Sequence, residues 1–356
     1  MNTLRVSIPL ALSLVTLSPL LSQAGQELSS PKDKTVAPAT GGLPMGNITA
    51  GGDFSKNLQS GFVDSITPFW APGNALFFLN TRTIYDDNSQ LDSSIGLGAR
   101  YLVPGHDIIV GANVFWDAIH SQYSNDFDML GLGAEVLTKW VDARFNYYIP
   151  DGDQTIVDTF HTSSRSQTVS DPVVNGNTIS QTTTVTTRRR TYHTYEAALE
   201  GWNAEIGFLI PGLERYMETR AFIGYYHYNN PFSSDFEGFK ARLEAHVLPG
   251  VIANVEYWDD TYLMGGHWTG GVRVQVPFSI FNLVTGRNPF EGIGDAFRPR
   301  QREFKERMTD MVVRSHRVKT VKSDRVLTDT DTDTSTSTQT TETDTETPVI
   351  PQDTPS

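Results

Sequence analysis

Cysteine is absent from the 356 residues. A disulfide scaffold and a thiolate metal site are therefore excluded, and so is a lipoprotein anchor, which needs a cysteine at the cleavage point. Apolar residues make up only 38% of the chain, and mean hydropathy is −0.31. That is too little for a bundle of membrane helices, but it suits a barrel in which every second strand residue is free to be polar. Basic residues are outnumbered 28 to 41, giving a formal charge of −13. Such a balance disfavours a nucleic-acid partner. No Ser-centred or metal-ligand spacing occurs. Asp259, Asp260 and His267 near one rim form a set common in loops, so the expectation is no enzyme, no metal and no cofactor.

What is present is alternation. From Ser94 to Trp140, Ile95, Leu97, Ala99 and Tyr101 share one parity against Gly96, Gly98 and Arg100. Ile108, Val110, Ala112, Val114 and Trp116 then oppose Gly111, Asn113 and Asp117, and Leu130, Leu132, Ala134 and Val136 oppose Gly131, Gly133 and Glu135. Period two over segments of about ten residues is the pattern of a transmembrane β-barrel, with one face on lipid and one on a polar lumen. Soluble antiparallel sheets also alternate, but their strands usually run about five or six residues. Aromatic residues gather near strand ends, at Tyr101, Trp116, Trp140, Tyr147 and Tyr148.

Met1 to Ala24 reads as a secretory signal peptide. Arg5 supplies the positive start, Val6 to Leu21 is largely apolar, and Ser22-Gln23-Ala24 supplies small cleavage residues. Gly25 to Pro44 reads as a flexible periplasmic leader. The predicted barrel covers residues 45–278, with strands at Asn47–Ser55, Gly61–Trp70, Ala75–Tyr85, Leu91–Val103, Asp107–Asp117, Phe127–Thr138, Val141–Ile149, Tyr195–Ile210, Arg215–Tyr228, Phe236–Val247, Val251–Trp258 and Gly266–Phe278. This makes about twelve, an even number as single-chain barrels require. The connections alternate short and long: APGN, PGHD, Lys139–Trp140, PGLE and LPG against DDNSQ, AIHSQYSND, Pro150–Thr194, NNPFSSD and DDTYLMG. Short turns then lie on the periplasmic side and long loops outside. Asn175-Gly176 within the longest insertion predicts a small hairpin.

Parity points Arg82, Arg100, Asp117, Glu135, Asp142, Arg144, Glu205, Arg220, Lys240, Arg242, Glu244 and Arg273 into the lumen. Residues 279–322 read as a connector and linker. Within it, Pro299 to Val313 predicts a helix with Phe304, Met308, Met311 and Val312 on one stripe and Arg300, Arg302, Lys305 and Arg307 elsewhere. Its span of about 22 Å is close to the roughly 25 Å apolar band of such a barrel. The linker is therefore expected inside the lumen, with its basic residues, Arg302 and Arg307 among them, against Glu135, Asp142, Glu205 and Glu244. From Ser323 the chain is acidic and Thr-rich, and residues 323–356 are expected to be disordered.

Residues Ser60 to about Phe278 resemble the β-domain of inverse autotransporters, the intimin and invasin family. The resemblance rests on LGARYLVPGHDIIVGANVFWD, LGLGAEVLTKWVDARFNYYIPDG and EGWNAEIGFLIPGLERYMETRAFIGYYHY. It includes an N-x-F-x-D segment (Asn113, Phe115, Asp117) and an L-G-x-G-x-E segment (Leu130, Gly131, Gly133, Glu135). It implies an all-β, twelve-stranded outer-membrane barrel whose linker crosses the pore and displays a C-terminal segment. It also implies type V secretion, with lipid, the outer-membrane barrel assembly machinery and a host or neighbouring-cell surface as partners. No immunoglobulin-like repeat is read after Lys322, so the expected passenger is the tail itself. A diffusion pore and a loop-mediated adhesin stand as the alternatives.

Overall fold

In the computed structural model the described residues are 43–56, 59–152, 154–260, 265–315 and 320–342. The segment read as a signal peptide, and all but the last two residues of the one read as a leader, lie outside them. In chain order the strands are β1 (Gly46–Ser55), β2 (Gln59–Trp70), β3 (Ala75–Asp86), β4 (Leu91–Leu102), β5 (Ile108–His120), β6 (Asp126–Thr138), β7 (Val141–Pro150), β8 (Gln154–Val169), β9 (Val173–Asn175), β10 (Thr178–Ala198), β11 (Gly201–Leu209), β12 (Glu218–Tyr228), β13 (Phe236–Leu248), β14 (Val251–Asp260), β15 (Gly265–Phe278), β16 (Thr320–Lys322) and β17 (Val326–Glu342). Twelve of them close into an antiparallel barrel in the order β1-β15-β14-β13-β12-β11-β7-β6-β5-β4-β3-β2. Closure runs through β1, which pairs with β15 from Gly46↔Phe278 to Ser55↔Thr269.

The pleat sorts the side chains as the alternation predicts. Ile95, Leu97, Val110, Val114, Leu130 and Leu132 are exposed on the outside, where an apolar band meets lipid. Arg100, Asp117 and Glu135 on the same strands, and Asp142 on β7, are buried. Of the strand-end aromatics, Tyr101, Trp116 and Trp140 face out, whereas Tyr148 is turned inward and buried. The turn Val103–His106 shows why the short connections hold. His106 N–H donates to Val103 O at 3.1 Å, and Gly105 takes φ +74°, a left-handed position that a type II turn reserves for glycine after Pro104.

One compact unit joins the chain up to Gln154 with Ala197–Val321, and it contains the barrel. A second joins Thr155–Glu196 with the chain from Lys322. In this second unit β10 pairs with β8 and β9 and, over sixteen residue pairs from Thr178↔Glu342 to His193↔Val326, with β17. The predicted hairpin at Asn175-Gly176 forms, with Gly176 at φ +61°. Two expectations are corrected here. The strand read as Tyr195–Ile210 is two strands, β10 and β11, parted after Ala198. The tail read as disordered is a strand over Val326–Glu342. Threonine, which favours extended backbone, fills its alternate positions, and β10 supplies a complete ladder partner.

Candidate functional site in the barrel lumen

The lumen is built in layers. Inward positions on several strands are glycine because an aromatic ring from the neighbouring strand lies flat over them. A Cβ at Gly96 would come 2.4 Å from the Phe115 ring, one at Gly98 would come 2.2 Å from Phe78, and one at Gly207 would come 2.2 Å from Phe222. Over each ring sits a guanidinium. Arg100 lies 5.2 Å from the Phe78 centroid, Arg314 lies 4.1 Å from Phe115, and Arg242 lies 4.0 Å from Phe222. Such stacking suits the weakly hydrated, planar guanidinium and adds attraction where water is excluded.

All the wall residues placed inward by parity are in the interior. Arg82 pairs with Asp64 at 2.9 Å and Arg100 with Glu135 at 2.6 Å. Glu205 collects Arg144 at 2.8 Å, Arg242 at 2.7 Å and Lys240 at 3.2 Å. Glu244 takes Arg242 and, at 3.5 Å, Arg273. Arg220 reaches Glu218 at 3.0 Å and Asp142 at 3.3 Å. Buried charges are tolerated only when paired and hydrogen-bonded, and the wall meets that condition largely from its own residues. The expected role of Glu135, Glu205 and Glu244 as partners of the linker is corrected accordingly, because wall cations already neutralise them.

The segment after β15 first packs beneath the short-turn end, where Gly250 N–H donates to Ala296 O at 2.7 Å. Arg302 then meets Glu218 at 3.4 Å, His246 at 3.2 Å and, within its own segment, Asp310. The helix predicted over Pro299–Val313 is only a 3₁₀ turn, Phe304–Thr309, closed by a capping box between Glu303 and Glu306. Asp310 turns to extended backbone and the helix does not continue, because the wall takes up the carbonyls from Met308 onward. Arg100 Nη1 donates to Met308 O at 3.0 Å and Asp310 O at 2.7 Å. Asn47 donates to Thr309 O at 2.8 Å, Arg82 to Val312 O at 2.6 Å and Asn146 to Val313 O at 3.2 Å. The bonds to Met308 O and Thr309 O take the place of two that a helix over Pro299–Val313 would have made internally, and those to Asp310, Val312 and Val313 satisfy carbonyls that such a helix would have left open at its end.

Two arginines fix the position. Arg307 forks onto Asp142 at 2.7 and 3.1 Å, and Arg314 onto Asp117 at 2.6 and 2.8 Å. Gly131 makes room for the second pair, since a Cβ there would lie 2.0 Å from Arg314 Nη2. Along β7 the segment advances steadily, with Arg307 at Asp142, Val313 at Asn146 and Ser315 at Tyr148, whose hydroxyl accepts from Ser315 N–H at 2.8 Å. The six residue steps along the strand from Asp142 to Tyr148 cover about 20 Å. The movement is from the short-turn end of β7 toward the end that leads into the longest insertion. Asp64, Glu218, His246, Asn47, Asn146 and Arg314 escaped the sequence reading. Asp64 shares its parity with Phe62 and Ile66, which are buried, so the apolar neighbours hid an inward carboxylate.

A closed antiparallel sheet, apolar outside and charged within, defines a transmembrane β-barrel. The family described as "Inverse autotransporter, beta-domain" matches residues 22–261, and the chain belongs to that family, which places it in the bacterial outer membrane. No curated protein matches it. Among solved structures, one from a study of the in-meso crystallization of membrane proteins is 14% identical, covers 78% of this chain and 99% of its own, and superposes with a TM-score of 0.54. The KdgM porin is 9% identical over 64% of this chain and 98% of its own, with a TM-score of 0.37. The β domain of the Bordetella autotransporter BrkA is 10% identical over 65% and 97%, with a TM-score of 0.26. The first of these likenesses bears on the fold.

Proposed function

We propose that this protein is an outer-membrane translocator and anchor that displays its C-terminal segment at the cell surface. The observation that carries the reading is the course of residues 302–315. They lie against inward side chains and advance along β7 away from the short turns. A diffusion pore has no need of a segment seated this way. Pairing of β17 with β10 supports the same reading, because it requires the tail and the longest insertion to share one side of the membrane. By this reading the long loops are external, and the second unit is available to touch a host or neighbouring-cell surface.

The chain has no cysteine, so single introduced thiols report cleanly. Thr336→Cys should react with an impermeant thiol reagent on intact cells, and Met308→Cys should react slowly. Labelling of Thr336→Cys only after the outer membrane is broken would make the tail periplasmic and end the display function.

A further inference from the structure

The pairing of β10 with β17 is unusual in its chemistry. Every residue of β17 is exposed, so the strand gains little from apolar burial. Its selectivity must come from backbone bonds and polar side chains. β17 carries Asp329, Asp331, Asp333 and Glu342 and no base, whereas β10 opposite it carries Arg188, Arg189 and Arg190 and, from Thr178 to Thr191, no acid. Arg189 Nη1 bonds Asp333 at 2.8 Å and lies 3.4 Å from Asp331. Thr182, Thr184 and Thr186 stand opposite Thr338, Thr336 and Thr334 on one face, and the Thr182 and Thr338 hydroxyls are 3.1 Å apart. Hydroxyl pairs of this kind are favourable across strands. The near end is anchored where Ser323 N–H donates to Tyr195 O at 2.7 Å and Tyr195 N–H donates to Ser323 Oγ at 2.8 Å.

The other edge of β10 is taken by β8, with Ser170 N–H donating to Thr182 O at 2.8 Å. The β8–β10 hairpin therefore offers one long row of backbone groups, basic over one third and hydroxyl-lined over the rest. An edge of this kind binds by strand addition, in which main-chain bonds give affinity and alternate side chains give specificity. We infer that β10 is a strand-receiving site whose ligand is an extended segment alternating threonine with aspartate: the chain's own residues 326–342, or that sequence supplied in trans. In cis, capture would hold the displayed tail against sliding back, so the inference rests on the display reading. Exposed ion pairs add little strength singly, and their role here is to select a partner of opposite charge.

The test uses the full chain. With Thr184→Cys and Thr336→Cys together, a disulfide between these directly opposed positions should form on cells under mild oxidation. Replacing Arg188, Arg189 and Arg190 by Glu should cut its yield at least tenfold. In a second full chain, Asp329→Lys, Asp331→Lys and Asp333→Lys repel the tail from β10 and free the edge. A fluorescent peptide of residues 326–342 should then bind these cells at least tenfold more tightly than its version with Asn at the three Asp positions. A disulfide yield indifferent to the arginine reversal, or equal binding of both peptides, would overturn the site. Thr336→Cys alone separates the two readings. If it is labelled on intact cells while the disulfide fails, display stands and capture falls; if it is unlabelled, the display reading fails first.

Discussion

Removing Asp117 tests how the lumen holds its segment. Its carboxylate is fully buried and accepts both Arg314 bonds, at 2.6 and 2.8 Å. Asp117→Ala leaves a guanidinium buried between Phe115 and Tyr148 without its counter-charge. Breaking a buried pair from one side costs about 3–5 kcal/mol, of which ring stacking returns none, since it is present before and after. At about 1.4 kcal/mol per tenfold change, the local opening equilibrium should shift by roughly two to three and a half decades. Arg307 and the carbonyl bonds remain, so the end around residues 312–315 should loosen while the rest stays seated. With Ser315→Cys as the reporter in purified protein, Asp117→Ala should speed thiol labelling by that factor. Adding Arg314→Met removes the stranded charge but keeps a stem over Phe115, and labelling should fall back to within about tenfold of the parent. Heat-modifiable migration checks that the barrel is intact. Labelling unchanged by Asp117→Ala, or a double variant as fast as the single one, would refute the reasoning.

Gly131→Ala keeps both charges but puts a methyl group where Arg314 Nη2 now lies, at 2.0 Å; the same reporter should label faster, and an unchanged rate would show that the pocket yields. Leu97 is outward and 54% exposed at mid-strand, so Leu97→Arg should cost about 2–4 kcal/mol in lipid. The folded, heat-modifiable band should decline in membranes, and full assembly would mean that this face does not meet the bilayer.

Strand positions were legible because lipid and lumen impose opposite polarity on successive residues, as at Leu97 and Gly98 or Val136 and Glu135. Ends were less so: β5 runs on to His120 and β14 to Asp260, beyond the clear alternation. The helix expected over Pro299–Val313 failed for a reason that periodicity cannot register. An apolar stripe indicates which residues share a face only if the backbone bonds itself, and here Arg100 and Asn47 do the bonding. The tail failed in the same way. Composition weighs a segment by what it can bury, but β17 buries nothing and is held by β10, about 150 residues earlier in the chain. Lumen carboxylates were identified correctly as inward, yet parity carries no information on which cation each one faces. Glu205 and Asp142 have the same parity argument and opposite outcomes, one paired within the wall and the other shared with Arg307.

Arg100, Arg82, Asn47 and Asn146 all grip carbonyl oxygens of the seated segment. A carbonyl is common to every amino acid, so these carbonyl bonds register that a chain is present without reading which chain it is; only Asn47 adds a side-chain contact, to Thr309 Oγ1 at 2.9 Å. Identity enters through the side chains of Arg302, Arg307 and Arg314, which meet Glu218, Asp142 and Asp117. The seat therefore reads its thread at a few side chains, the three arginines first, and holds the rest by its backbone. A foreign sequence that keeps these arginines and the 3₁₀ turn over Phe304–Thr309 should fit the same channel, whatever side chains it carries at the positions held only through carbonyls.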